Sequence, residues 1–199
     1  WSSDVCSSDL SCSYGYLPDT ATAVIEMAGA AGLGLVPEDR RNPLYTTTYG
    51  VGQVMAKAIE GGIRHFIIGL GGSATSDCGV GMLQALGYVF RDAEGHVVGT
   101  GGLAVGDIAS VDDSQVLPAL KECTFDVACD VTNPLYGTLG AAAVFGPQKG
   151  ASPADVKRLD DASRSFAAVT KAYKGQDYSQ ASGAGAAGGL GFAFLAYLQ

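Results

Sequence analysis

The sequence predicts an α/β fold, and three observations carry that prediction. Phe66–Leu70 and Thr124–Ala128 are short apolar runs of the kind found in strands buried between helical layers. Val51, Val54, Met55, Ala58 and Ile59 fall at i, i+3, i+4, i+7 and i+8, which puts an amphipathic helix before the first run. Between that run and the next apolar-periodic stretch lies the Gly-rich segment GLGGSATSDCG, so Phe66–Leu86 reads as strand, tight loop and helix start. Amides at such a helix start lack intrahelical partners and carry partial positive charge, which suits an anion.

Taken in order, residues 1–13 (WSSDVCSSDLSCS) repeat the unit SSD and show no amphipathic period. They read as a non-native segment and are set aside from the fold. Thr20–Ala28 is a β-branched, apolar strand bearing Glu26 among apolar neighbours. A Pro-punctuated crossing with Arg40 and Arg41 follows, and Thr47 or Thr48 can N-cap the first helix, which ends at Gly61-Gly62. His65 stands at the strand entry, on the end opposite the Gly-rich loop, and reads as structural. After the loop, Val80, Met82, Leu83 and Leu86 form a second helical stripe. Tyr88–Arg91 and Val97-Val98 read as a hairpin across the DAEG turn, with His96 on the surface. Residues 99–118 read as an irregular connection, and the stretch after Asp130 as loop, limited by Pro134 and Pro147. Ser152, Pro153 and Asp155 signal a capped long helix running to Gly175. The tail, Ser182–Leu198, is Gly-rich and then apolar, suited to a small-residue helix packed closely on a sheet.

Composition excludes several functions. A net charge of −8 argues against a general nucleic-acid surface. No apolar run reaches membrane-spanning length. The five cysteines (Cys6, Cys12, Cys78, Cys123, Cys129) contain no C-x-x-C pair, so reduced thiols in a cytoplasmic protein fit better than a disulfide or zinc framework. There is no Walker A motif and no G-x-S-x-G elbow, and the GLGGSATS loop lacks G-x-G-x-x-G spacing.

Three polar clusters stand where strands end or in the adjoining loops, the edge at which α/β sheets hold ligands. The first is Ser73, Thr75, Ser76 and Asp77 with the backbone of Gly71 and Gly72. Asp130, Thr132 and Asn133 form the second, and Gln148-Lys149 the third. Amides and a lysine that neutralise phosphate oxygens, with a carboxylate for Mg²⁺ or for the attacking hydroxyl, are the parts that phosphoryl transfer needs. Asp77 serves equally as a cap for the following helix, and Lys149 equally as a solvated loop lysine.

Beyond these local readings, GLGGSATSDCGVGMLQALG taken with IEMAGAAGLGLVP, RNPLYTTTYGVG, VACDVTNPLYG, FGPQKGAS and GAGAAGGLGFA resembles the glycerate kinase family, the bacterial type I enzymes. That resemblance implies phosphorylation of D-glycerate by ATP with Mg²⁺, to 2-phosphoglycerate or 3-phosphoglycerate. It implies two α/β domains, one Rossmann-like and one inserted, of which residues 14–199 are mainly the inserted domain, with the Rossmann-like domain largely missing and the chain inactive alone. It assigns catalytic roles to Asp77 and Lys149 and binding roles to Gly71, Gly72, Ser73, Ala74, Thr75, Ser76, Glu26 and Asn133. Asp130 is the expected metal ligand. Ser76 stands where the family usually has Asn, Cys78 where it has Gly, and Val51 where it has Thr. The alternatives are a GHMP-type kinase, whose phosphate loop reads like GLGGSA, and a non-catalytic metabolite-binding or oligomerisation domain; self-association stays open in either case.

Overall fold

The structure, a computed structural model, describes residues 11–198 and the backbone of residues 2–3. The segment 1–13 therefore lies largely outside the described residues. Two short strands, β1 (Ser2–Ser3) and β2 (Cys12–Ser13), pair antiparallel. The main sheet has the order β3 (Gly15–Leu17), β4 (Thr22–Glu26), β5 (His65–Gly69) and β8 (Thr124–Ala128). β3 runs antiparallel to β4, while β4, β5 and β8 are parallel. Parallel neighbours need crossovers, and the chain supplies them as helix and irregular segments. Phe66 and Ile68 of β5 and Ala23 and Ile25 of β4 are fully buried.

Helix α1 (Ala28–Ala31) follows β4, and α2 (Tyr49–Glu60) carries the expected face, with Val51, Val54, Met55, Ala58 and Ile59 all buried. It packs against α3 (Val80–Ala85) so closely that a Cβ on Gly52 would lie 2.3 Å from the Met82 carbonyl oxygen. Thr48 holds the N-cap position of α2 as expected; its own hydroxyl is committed to Asp77, and the helix's first amide, Tyr49 N–H, donates to Thr47 Oγ1 (3.2 Å).

The irregular reading of 99–118 is corrected. β6 (Val89–Arg91) meets Val97 and Val98 across the DAEG turn, yet its full partner is β7 (Ser110–Asp112). Ser110–Asp112 has too little alternation to announce a strand, and pairing with Phe90 decides it. In the post-Asp130 loop the short α4 (Ala141–Phe145) forms, followed by a 3₁₀ turn at Pro147–Lys149. α5 (Pro153–Lys174) has the full capping box, Ser152 with Asp155, and ends on left-handed Gly175. α6 (Ala186–Tyr197) is almost wholly buried, and its first turn is broken by Ala187, Gly188 and Gly189, all at positive φ. An aromatic chain ties the layers together: Phe66 stacks on Phe125, Phe125 meets Phe194, and Phe166 contacts Phe90 and Phe192.

β8 departs from its sequence reading. It is an edge strand, exposed at every residue but half-buried Phe125, because β5 pairs one side and no described strand pairs the other.

Candidate active-site cleft

The three parallel strands end together, and their C-terminal edge presents Glu26, the Leu70–Ser73 loop and Cys129-Asp130. Leu70 donates its amide to the Ala128 carbonyl (3.1 Å) and Met27 to the Gly69 carbonyl (3.1 Å), so the strand ends are held in register as the chain leaves the sheet. Gly72 has a φ of 72°, a left-handed turn that glycine adopts without penalty. The loop is pinned behind by Leu33 N–H on Gly72 O (2.9 Å) and Ala74 N–H on Ala31 O (2.9 Å). The amides of Gly71, Gly72 and Ser73 donate to no acceptor among the described residues.

A cleft of about 200 Å³ opens above this loop, lined by Gly71, Gly72, Ser73, Asp130, Gln148 and Lys149, with Phe145 and Ala187 as apolar wall. It unites members of all three polar clusters, which lie far apart in sequence. Lys149 is not a solvated loop lysine: it is 2% exposed. Its Nζ donates to Ser73 Oγ (2.7 Å) and to the Thr75 carbonyl (2.6 Å). Burial pulls its pKa down from 10.5 to about 8, with the Asp77 charge acting in the opposite direction. The 3₁₀ turn that delivers Lys149 closes on left-handed Gly150, where a side chain would strike the Arg41 carbonyl at 2.2 Å.

Other candidates lie behind the cleft rather than in it. Asp77 is wholly buried. Its Oδ2 accepts from Thr48 N (2.7 Å), Thr48 Oγ1 (2.9 Å), Thr47 Oγ1 (3.2 Å) and Gly81 N (3.3 Å), and its Oδ1 from Gly79 N (3.2 Å). Burial pushes the Asp77 carboxyl above the usual carboxylate range, and the bonds from Thr48, Gly79 and Gly81 pull it back. With acceptor sites turned to the starts of α2 and α3, Asp77 ties both helices to the loop. Ala74, Thr75 and Ser76 are likewise buried. Thr75 contributes its carbonyl to Lys149, while Thr75 Oγ1 and Ser76 Oγ have no partner among the described residues. Asn133 Nδ2 donates to Leu139 O (2.9 Å) and bends its own loop. Glu26 is exposed at the same sheet edge but borders a different hollow, beside Ser13 and Gly29.

Sequence reasoning missed how far the 46–48 threonines serve this site. Thr46 Oγ1 donates to Ala74 O (2.7 Å), and Thr48 Oγ1 also receives Met82 N–H (2.9 Å). The run of three hydroxyls was the available signal. Also missed was the left-handed turn of α6, on which Cys78 N–H donates to Gly188 O (3.0 Å). Another hollow, about 230 Å³ between β8 and α6, is walled by Leu70, Phe125, Val127 and Phe194 and carries no charged side chain.

Comparison with known proteins decides the family. A profile described as the glycerate kinase family matches residues 2–199. The chain belongs to the glycerate kinase family. It is 49% identical to a glycerate kinase of Haemophilus influenzae over 92% of this chain and 48% of that one. Identity to a glycerate kinase of Bacillus subtilis is 50%, over 94% of this chain and 49% of that one. It is 49% identical to a glycerate 2-kinase of Escherichia coli, again over 94% and 49%. In structure it resembles a protein described as glycerate kinase 2 from Salmonella typhimurium LT2, with a TM-score of 0.91 and 47% identity over 94% of this chain and 50% of that one. The chain thus spans about half the length of the curated relatives it matches. The GHMP alternative, which rested on the GLGGSA loop alone, does not explain a match of this extent.

Proposed function

We propose that the protein of which these residues form part phosphorylates D-glycerate with ATP and Mg²⁺, and that the Ser73–Lys149 cleft holds the anionic end of the reacting pair. The observation that carries this reading is the meeting of a buried lysine with a loop whose amides are free, on the ligand-bearing edge of a parallel sheet. Gly71, Gly72 and Ser73 would donate to phosphate or carboxylate oxygens, and Lys149 would stabilise charge on the transferring group. Asp77 acts as a positioning residue, holding the loop through Thr47, Thr48, Gly79 and Gly81. Phosphorylation at the 2-position is the proposed outcome, supported by the name of the Escherichia coli relative.

Among the described residues no cluster of three or more His, Cys, Asp or Glu side chains could hold a metal. Magnesium needs no such cage, since one or two carboxylates beside phosphate oxygens and waters suffice. Asp130, exposed on the cleft wall, fits that requirement, and Mg²⁺ there would neutralise phosphate charge. A cleft of about 200 Å³ is small beside the roughly 300–1,000 Å³ of drug-sized ligand sites. This supports the reading of residues 14–199 as one wall of an interdomain cleft, mainly an inserted domain, with the nucleotide completed by another part of the longer protein. Among the described residues no helix is long and apolar enough to cross a membrane, and cytoplasmic residence is the proposed setting.

The test is ATP consumption and product identification with D-glycerate, using this segment within a polypeptide of the relatives' full length. The expected result is 2-phosphoglycerate, lost on Lys149→Met, with no turnover from the 199-residue chain alone. Absence of glycerate phosphorylation by the long polypeptide would overturn the reading.

A further inference from the structure

We infer that Ser73 and Lys149 form a nucleophilic serine–lysine dyad, so that Ser73 Oγ is itself a phosphoryl acceptor in the cleft. The inference goes beyond the kinase reading, which asks of these residues only that they bind charge.

Its basis is geometric. Ser73 Oγ and Lys149 Nζ are 2.7 Å apart, and both residues are 95% or more buried while lining the same cleft. A neutral lysine amine has two N–H groups and one lone pair. The Thr75 carbonyl, 2.6 Å away, takes one N–H and fixes the amine, leaving the lone pair for the Ser73 hydroxyl proton. Burial holds the ammonium near pKa 8, so roughly a tenth of the amine is neutral at pH 7 and half at pH 8. The charged groups around it are few. Asp77, behind the loop, favours the ammonium, and Asp130 shares the cleft wall.

The step balances without any further reagent. Ser73 Oγ attacks phosphorus, the O–P bond forms as the bond to the leaving group breaks, and the Ser73 proton passes to Lys149 Nζ. The product is an anionic phosphoserine beside a newly formed ammonium, with the free amides of Gly71 and Gly72 for its oxygens. An acyl donor would leave a neutral ester against that buried ammonium, which is why a phosphoryl electrophile is the class the site favours.

The probe is diisopropyl fluorophosphate, small enough for the cleft, whose P–F bond breaks as the serine ester forms. Its product, a diisopropyl seryl phosphate, is a neutral triester, so it reports nucleophilicity and leaves the charge preference to a second arm with acetyl phosphate. The chain is treated between pH 7 and pH 9 and mapped by peptide mass spectrometry. The expected result is one diisopropyl phosphoryl adduct, on Ser73, formed about tenfold faster at pH 9 than at pH 7 through an inflection near pH 8. Acetyl phosphate is expected to add phosphate, not acetyl, at Ser73. Lys149→Arg preserves a cation but supplies no base in this range and should slow labelling at least 100-fold. An adduct on another residue, a rate flat in pH, undiminished labelling in Lys149→Arg, or acetylation of Ser73 would each overturn the proposal. The adduct is read on Ser73, so this outcome is separate from whether glycerate is phosphorylated.

Discussion

Replacing Lys149 by Met should reverse its effect on stability between pH 7 and pH 10. The Lys149 pKa lies at about 8 in the folded chain against 10.5 for the free side chain. Between those values the unfolded chain binds more protons than the folded one, so the native state gains stability as pH rises and carries the full penalty below pH 8. At about 1.4 kcal/mol per pKa unit, the penalty is about 3.4 kcal/mol at pH 7, about 2 kcal/mol at pH 9 and under about 1 kcal/mol at pH 10. Methionine fills a similar volume without charge but gives up the bonds to Ser73 Oγ and Thr75 O, at roughly 1 kcal/mol each. The variant is therefore expected to be more stable than the parent by about 1 kcal/mol at pH 7, equal near pH 9, and less stable by about 1 kcal/mol at pH 10. Urea denaturation of both chains at each pH measures this, and taking the difference cancels titration of the other groups. A stability difference that stays constant from pH 7 to pH 10 would refute the claim that Lys149 is held against its preferred charge state.

Three further outcomes follow from the packing around the cleft. Asp77→Asn puts an NH₂ group in place of one acceptor and should cost about 1–3 kcal/mol, while Asp77→Ala strands three buried backbone amides and should leave little folded protein; an unchanged melting temperature for Asp77→Ala would contradict the clamp. Gly188 has a φ of 68°, and a Cβ there would fall 2.0 Å from the Thr75 carbonyl, so Gly188→Ala should destabilise by at least about 2 kcal/mol in urea melts; a loss below about 0.5 kcal/mol would show that the turn yields. The buried Cys78 thiol is pushed up to about 12, chiefly by desolvation, whereas Cys129 is exposed. An aromatic disulfide reagent followed by peptide mapping should modify Cys129 promptly and Cys78 only on unfolding, and early modification of Cys78 would contradict its burial.

Periodicity was enough to place the helices that bury one face. The 3–4 spacing of Val51–Ile59, the Ser152–Asp155 box and the apolar runs at Phe66 and Thr124 depend on neighbours in sequence, and each stands where expected. So does the Gly-rich loop, since glycines and hydroxyls after a buried strand have a local meaning. What tertiary structure decided was the partner of each polar group. Asp77 reads alike as cap, base or metal ligand from sequence, and only the fold shows that Thr48, Gly79 and Gly81 donate to it. Lys149 and Ser73, 76 residues apart, meet only because the 3₁₀ turn after α4 folds back over the sheet edge. β8 shows the converse: its composition suits a covered strand, but composition cannot say whether a neighbour is there to cover it. Sequence pattern records which face of an element avoids water. Which atoms meet across that face, and so which proton a lysine can hold, depends on contacts between residues far apart in the chain.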